Sequence, residues 1–451
     1  MVGPESLGRE TVNKSKNFSW LLVVGFVSAN TLFSYAAPSV AFKSAPNGSS
    51  LTLPEVLRMA ENYNPDLKAA KAQEIQAQKE ITIQQSFYYP TLSLQGLASS
   101  GFPGSNQHGF IGTAGLVDSP FADAPVGGLV SKLDILDLTI PFKVRSAQYF
   151  LEATKQHTEI IRYEVDWKAL GYYFDSIRYL SNYLIWKDIY HRASVLQHLV
   201  ERLVKTGQHN LSDQYLIEVQ AGLALAEEKA YHSRYLASLK NLALFIGKKT
   251  EDVAVPSFRN FDEASLKKIA PGAASAFILK AVADAESAHS LVNANRAKNY
   301  PAIIGLGSIG GMAGSRLTPV NDTSIGVGLN FPIFEGFRMV SSVKKAQGFE
   351  TERQEQIKGL KLYVDEDNAH YDELIAYDQS RIKTLKPLAK TTEKSFSEAR
   401  QRYLNYIGPL VDLRDAIQYL ADVQGEINES ETNLWFNAAS KAVLNGGKIA
   451  Q

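Results

Sequence analysis

Acidic side chains beside predicted helix turns are the residues whose type and spacing most favour a function. Asp412 and Asp415 flank the turn between the last two predicted helices, and Asp213 lies at the corresponding turn in the first half of the chain. Free N–H groups and the helix dipole favour carboxylates at helix N-termini, so capping alone accounts for such residues. If copies of the chain surround an axis, the same carboxylates form a negative ring that concentrates cations. Both roles stay open at this point.

Motifs for catalysis or cofactor binding are weak. Residues 305–310 read Gly-Leu-Gly-Ser-Ile-Gly and match the dinucleotide fingerprint G-x-G-x-x-G after an apolar stretch. That fingerprint requires a helix next, whereas Gly311, Gly314 and Pro319 follow here. The eight histidines are scattered, and the sequence has no nucleophile elbow, P-loop or H-E-x-x-H motif. We therefore predict no catalytic residue, no cofactor and no metal site.

The chain repeats one order of elements in its two halves. In each half a helical pattern stops at a Tyr-Pro pair, at Pro90 and at Pro301, and a strand pattern follows. The four predicted strands cover 91–98, 133–140, 302–310 and 323–331. A long helix and a shorter helix complete each half, which predicts a duplication into the structural units 42–260 and 261–451.

The predicted helices are too long for a globular domain of this size. One pattern runs over about 143–205, which is roughly 95 Å at 1.5 Å per residue, and another over about 337–406. Apolar residues in the last helix step by alternating threes and fours, as in coiled coils. That seam comprises Leu413, Ala416, Leu420, Val423, Ile427, Ser430 and Leu434. A looser seam in the shorter helix of the first half comprises Leu216, Val219, Leu223, Ala226 and Ala230.

Large apolar residues alternate with small or polar ones in the predicted strand 323–331. The apolar set comprises Ile325, Val327, Leu329 and Phe331, and the other set comprises Ser324, Gly326, Gly328 and Asn330. A strand with lipid on one side and an aqueous lumen on the other has this pattern. Strands of soluble sandwiches have it too, but the very long helices favour a membrane barrel. We therefore predict that the apolar set faces lipid.

The segment 1–41 has the organisation of a secretory signal. Basic residues precede a short apolar run over 20–33, and small residues follow, so we predict cleavage after Ala36 or Ala41. The run is shorter than the roughly 20 residues of a membrane span. The chain of 451 residues has 47 basic and 47 acidic side chains, which gives no support to nucleic-acid binding. It has no cysteine, which excludes disulfides and thiolate metal sites.

Five motifs in a fixed order resemble the TolC-like outer-membrane efflux protein family over essentially the whole chain after the signal. They are Leu53-x-x-x-Leu57; Asn64-Pro65-Asp66-Leu67; the Tyr-Pro pairs at Pro90 and Pro301; Pro332-Ile333-Phe334-Glu335-Gly336-Phe337-Arg338; and Arg402-Tyr403 with Asp412-x-x-Asp415-Ala416. The resemblance implies a mainly α-helical chain with a membrane β-barrel. Four strands from each of three copies would complete a 12-stranded outer-membrane barrel on a long coiled-coil tunnel in the periplasm.

The same resemblance implies a function and partners. The chain would be a passive exit duct of a tripartite efflux pump or a type I secretion system, gated at its periplasmic tip. Its partners would be two further copies of itself, a periplasmic adaptor protein, an inner-membrane transporter and outer-membrane lipid. A secreted coiled-coil adaptor or adhesin without a pore is the alternative interpretation, and such a protein would extract in soluble form.

The resemblance also assigns residues at the periplasmic entrance. An acidic ring narrows the entrance in the family, and Asp412 and Asp415 match it. Tyr403 and Asp213 match residues of the hydrogen bonds that hold the entrance shut, which we call the latch. A family arginine of the latch falls on Gly408, so part of the latch is absent or replaced in this chain.

Overall fold

A computed structural model of the chain describes residues 50–97, 110–112, 115–117, 126–256, 269–270, 275–314 and 317–449. The α-helices are α1 Leu53–Tyr63, α2 Pro65–Ser86, α3 Thr139–Lys205, α4 Leu211–Phe245, α5 Ala276–Ala297, α6 Arg338–Leu404 and α7 Leu410–Leu444. The strands are β1 Thr91–Leu97, β2 Phe110–Gly112, β3 Gly115–Val117, β4 Val126–Leu136, β5 Ile269–Ala270, β6 Ala302–Gly314, β7 Leu317–Asn330 and β8 Lys448–Ile449. The predicted signal 1–41 and its cleavage sites lie outside the described residues and stay predictions.

Local hydrogen bonds explain how the first two helices begin. The Thr52 N–H donates to Glu55 Oε2 at 2.8 Å, which forms the capping box before α1. Asn64 Oδ1 accepts from the N–H of Asp66 at 2.8 Å and of Leu67 at 3.2 Å. Asn64 therefore ends α1 and caps α2, with Pro65 in the first helical position where its missing N–H costs nothing.

The long helices of the two halves have equal lengths. α3 and α6 each contain 67 residues, and α4 and α7 each contain 35. We call the five-residue connections 206–210 and 405–409 the first and second corners. No described helix has the length and hydropathy that a membrane span requires. The equal lengths support the predicted duplication into 42–260 and 261–451, which stays a prediction.

The helix ends of the two halves also share a backbone conformation. Gly207 has φ +73° and Tyr406, at the matching position of the second corner, has φ +62°. Gly247 after α4 has φ +71°, and Gly446 after α7 has φ +76°. A residue at positive φ after a helix lets the chain turn while it satisfies the last carbonyls. Glycine adopts this conformation freely, whereas tyrosine does not.

The four principal strands form one antiparallel sheet in the order β1-β4-β6-β7. Consecutive strands in this order are hydrogen-bonded along most of their length, so the sheet has two outer edges, at β1 and at β7. β2 pairs with β3, and β5 with β8, in separate two-stranded sheets.

The second predicted strand, 133–140, was placed too late in the chain. β4 ends at Leu136, and α3 begins at Thr139. Asp137 Oδ1 accepts the Thr139 N–H at 2.7 Å, so an aspartate side chain caps the helix start. Pro141 then lies in the first helical turn, where proline is tolerated.

The hairpin of the second half is longer than the predicted strands 302–310 and 323–331. β6 continues to Gly314 and β7 begins at Leu317, so most of the interval between the two predicted strands is paired strand. Gly310 pairs with Asp322 in this outer part. β7 ends at Asn330, which leaves Phe331 one residue beyond the strand. Glycines and a proline suggested a loop here, but the ladder accommodates them.

The buried helix faces differ between the halves. α7 buries Leu413, Ala416 and Leu420, which confirms this part of its predicted seam. The seam predicted for α4 was wrong within a single chain, because Val219 and Leu223 are exposed. The buried residues of α4 include Ile217, Ala221 and Ala224 instead.

The two long helices also differ in burial. α3 buries 21 residues, whereas α6, of the same length, buries six. α6 packs against α5 and α7. Most of its surface is therefore free of contacts with its own chain.

Candidate functional site

The two helix corners lie side by side and bring together residues almost 200 positions apart. Tyr403, at the end of α6, donates its hydroxyl hydrogen to Asp213 Oδ2 of α4 at 3.2 Å. Tyr406 in the second corner donates its hydroxyl hydrogen to Gln208 Oε1 in the first corner at 2.8 Å. Beneath the corners an apolar cluster from α3, α4, α6 and α7 includes Val200, Ile217 and Leu410. The corners are thus held by polar contacts above a packed core.

Tyr403 is the most buried of the polar residues at the corners. It is 1% exposed, and burial, followed by the negative charge of Asp213 and the hydrogen bond between them, raises the pKa of Tyr403. The phenol is therefore protonated near neutral pH and available as a donor. The structure brings these two residues into contact, while their role as a latch stays a prediction.

His209 belongs to this site, although the sequence analysis did not single it out. Its Nδ1 lies 3.3 Å from Asp213 Oδ2. The same carboxylate oxygen therefore contacts both His209 and Tyr403. The imidazole centroid lies 4.5 Å from the ring of Tyr403 and 5.0 Å from that of Tyr406. Its place four residues before Asp213, just ahead of the start of α4, was the only signal in the sequence.

The proton position on His209 follows from its partner. An ionised carboxylate only accepts hydrogen bonds, so Nδ1 carries the hydrogen in the contact with Asp213. Nε2 is buried and has no hydrogen-bond partner among the described residues. A buried polar nitrogen without a hydrogen-bond partner is destabilising.

Asp412 and Asp415 have different surroundings. Asp412 is exposed in the first turn of α7, at the position that Asp213 occupies in α4. Asp415 is partly buried, and its Oδ1 accepts from Arg414 Nη2 at 2.8 Å and Nε at 3.0 Å. Arg414 therefore offsets part of the negative charge, and Asp412 presents the more open carboxylate. The first-turn placement of Asp412 also suits helix capping, so the predicted ring stays a prediction.

Three of the four apolar residues predicted to face lipid, Ile325, Val327 and Leu329, share one side of the sheet. Ile325 is 90% exposed and Val327 72%, and Leu329 and Phe331 are exposed as well. Opposite residues of an antiparallel pair lie on the same face. Through the register, Leu92 of β1 joins Ile325 on this face, and both are exposed.

The other side of the sheet carries most of the polar side chains. They comprise Thr91, Ser93, Gln95, Lys132, Asp134, Ser308 and Asn330, and the large apolar exceptions include Val130, Ile304 and Leu306. Lys132 Nζ and Asp134 Oδ1 lie 3.5 Å apart on this side. The sheet is therefore apolar on one face and mixed on the other, which is the pattern of a barrel wall.

The dinucleotide-like residues 305–310 lie within β6, and β7 follows them. A phosphate-binding fingerprint needs a helix N-terminus at this place, so the geometry does not fit a nucleotide. Within the described part of the chain, no group of three or more histidine, aspartate or glutamate side chains could hold a metal ion.

Several solved outer-membrane proteins have a similar fold. The outer membrane protein VceC from Vibrio cholerae matches with a TM-score of 0.73 and 18% identity, over 88% of this chain and 96% of VceC. The CmeC outer membrane channel of Campylobacter jejuni matches with a TM-score of 0.70 and 15% identity, over 95% of each chain. The MtrE outer membrane channel of Neisseria gonorrhoeae in its open state matches with a TM-score of 0.70 and 15% identity, over 88% of this chain and 90% of MtrE.

No protein-family model and no curated protein matches the sequence. The similarity to solved structures therefore establishes the fold, which is that of outer-membrane channels. The resemblance to TolC-like proteins that the sequence motifs indicated is confirmed at the level of the fold.

Proposed function

We propose that this chain is one subunit of a trimeric outer-membrane channel-tunnel with a periplasmic extension. It would act as the passive exit duct of a tripartite efflux pump or a type I secretion system. The observation that carries the proposal is an open four-stranded sheet with one exposed apolar face, joined by short connections to helices of 67 residues. This combination suits a β-barrel in the membrane that continues into an α-helical tunnel.

The open sheet argues for more than one copy of the chain. Four strands are too few to close a barrel around a lumen. Open edges leave N–H and C=O groups unpaired, which a bilayer does not tolerate. Three copies, with β7 of one pairing with β1 of the next, would close a 12-stranded barrel.

The helices argue for the same assembly. α6 buries six of its 67 residues within the chain, and α4 exposes an apolar row at four-residue intervals. That row comprises Leu211, Tyr215, Val219 and Leu223. Neighbouring copies would cover such surfaces, because an extended exposed apolar row marks an interaction site.

The partners and the location follow from this role. The apolar sheet face would contact outer-membrane lipid, and the helices would extend into the periplasm. An adaptor protein and an inner-membrane transporter would deliver cargo to the tip. The role requires transport alone, with neither catalysis nor a cofactor.

The first prediction concerns the number of chains in the assembly. The full-length protein, extracted from membranes with a mild detergent, should have the mass of three chains, because only a closed barrel satisfies its strand edges. Native mass spectrometry or light scattering measures this directly. A folded monomer from the membrane would contradict the channel, and a folded protein in the soluble fraction would favour the adaptor or adhesin alternative.

The second prediction concerns the acidic residues at the tip. We propose that Asp412 and Asp415 of three copies ring the entrance, where like charges on an axis attract cations. Replacing both with asparagine should weaken cation selectivity and block by trivalent cations, while trimers still assemble. Because Arg414 pairs with Asp415, Asp412→Asn alone should account for most of the change. Single-channel recordings measure both quantities, and unchanged selectivity in the double variant would leave these residues as helix caps.

A further inference from the structure

Tyr406 holds a backbone conformation that tyrosine rarely adopts. Among the described residues, only Phe337 and Tyr406 are non-glycine residues at positive φ. The matching position of the first corner is Gly207, at φ +73°. A bulky residue in this region is strained, and such strain persists only where surrounding contacts hold it. The contacts of the Tyr406 side chain therefore indicate what the strain serves.

Those contacts all reach the first corner. The Tyr406 ring stacks on the His209 imidazole with an interplanar angle of 18° and a centroid distance of 5.0 Å. Its hydroxyl donates to Gln208 Oε1 at 2.8 Å. Tyr406 thus spans from one corner to the other, which glycine at this position could not do.

His209 is enclosed by aromatic rings. Tyr403 packs against it at 4.5 Å with an interplanar angle of 32°, and Tyr406 stacks at 5.0 Å. Both distances fall in the range of favourable aromatic pairs. The single hydrogen bond to Asp213 is long, at 3.3 Å, and Nε2 is buried without a partner among the described residues. Ring contacts, more than hydrogen bonds, therefore keep the imidazole in place.

Position 408 explains why such a contact is needed. Gly408, the counterpart of His209 in the second corner, carries no side chain, and a Cβ added there would lie 3.3 Å from Arg402 Cβ. The second corner therefore has no long polar side chain at the place where the family latch has an arginine. The second half of the chain instead reaches the first corner through the rings of Tyr403 and Tyr406, which pack against His209.

We propose that Tyr403, His209 and Tyr406 form an aromatic clamp that holds the two corners together and keeps the entrance shut. The clamp acts beside the Tyr403–Asp213 hydrogen bond, and His209 and Tyr406 are its positioning residues. This inference rests on the proposed channel function. It assigns the gate of this chain to ring stacking, and these ring contacts are what hold Tyr406 at its positive φ.

The test separates gating from stability. Tyr406→Gly removes the ring contacts, so conductance of purified trimers in planar bilayers should rise about 3- to 10-fold. The same variant removes the strain of a tyrosine at positive φ, so the thermal midpoint should not fall. His209→Asn, which lacks a ring, should open the channel similarly. His209→Phe keeps the ring and loses the hydrogen bond, so it should stay as closed as the wild type.

The comparison variant is Tyr403→Phe, which keeps its ring and removes the latch hydroxyl. If it raises conductance while Tyr406→Gly and His209→Asn leave it unchanged, the clamp is overturned and the channel stands. Equal opening in His209→Phe and His209→Asn would also overturn it, since the hydrogen bond would then be what matters. A wild-type protein that is not a conducting trimer overturns the channel and the clamp together.

Discussion

Val327→Arg should abolish assembly of the membrane-inserted trimer. Val327 is 72% exposed on the apolar face and lies opposite Gly305 of β6. An arginine on the lipid side of a barrel strand costs about 2–4 kcal/mol near the midplane. The proposed trimer carries this substitution three times, so the total is comparable to the whole stability of a protein domain. The amount of trimer extracted from the membrane fraction measures the effect.

The neighbouring residue provides a control at the same depth. Gly326 lies on the opposite face of β7 from Val327. No atom lies within 4 Å of a Cβ built at Gly326. Gly326→Arg should therefore assemble normally with its charge in the lumen, as should Asn330→Arg on the same face. If Gly326→Arg and Val327→Arg lose trimer to the same extent, the two faces are not lipid and lumen.

Gly247→Ala should destabilise the helical part of the chain strongly. Gly247 has φ +71°, which favours glycine over every side chain. A Cβ there would lie 2.3 Å from Tyr63 Cδ2 and 2.6 Å from Tyr63 Cγ, so the base of the ring must move. Tyr63 is the last residue of α1, which packs through Leu53 and Leu57 into the apolar core. Backbone strain and overpacking together should cost about 2–4 kcal/mol.

A second glycine gives the opposite expectation. Gly222 lies inside α4, and nothing is within 4 Å of a Cβ built there. Gly222→Ala should raise stability by about 0.5–1 kcal/mol, because alanine loses less backbone entropy in a helix. Loss of helical circular dichroism on heating compares the two variants. If the thermal midpoint falls in both variants, the loss at position 247 does not come from its positive φ and its contact with Tyr63.

Much of the fold could be predicted because its signals are local. The Asn64-Pro65 break, the ends of the long helices and the two corners follow from capping, proline and glycine chemistry. The second strand could not be placed, since Ile140 and its apolar neighbours suit a strand as well as a helix start. The Asp137 side chain decides between them by capping α3. The length of the β6–β7 hairpin was missed because pairing across strands overrides the local preference of glycine and proline.

Some residues of the candidate site could also be predicted from the sequence, and others could not. Tyr403 and Asp213 were found through family motifs, and the structure places them 3.2 Å apart. His209 was not found, because stacking between the first corner and α6 depends on residues almost 200 positions away. The positive φ of Tyr406 was equally invisible, although the parallel spacing of the corners put it in register with Gly207. Contacts between distant segments of a chain leave no local periodicity for a sequence to reveal.

The open edges of the sheet have a consequence for biogenesis. β1 and β7 each leave one row of backbone groups without a partner inside the described sheet. An unpaired strand edge hydrogen-bonds to any extended chain it meets, so a lone subunit is prone to aggregate. In the proposed trimer each edge is satisfied only when three subunits meet, and the yield of closed barrels rises with the third power of subunit concentration when subunits are scarce. Completion of the sheet and association of the three subunits are therefore coupled, and the rate at which new subunits are supplied controls both.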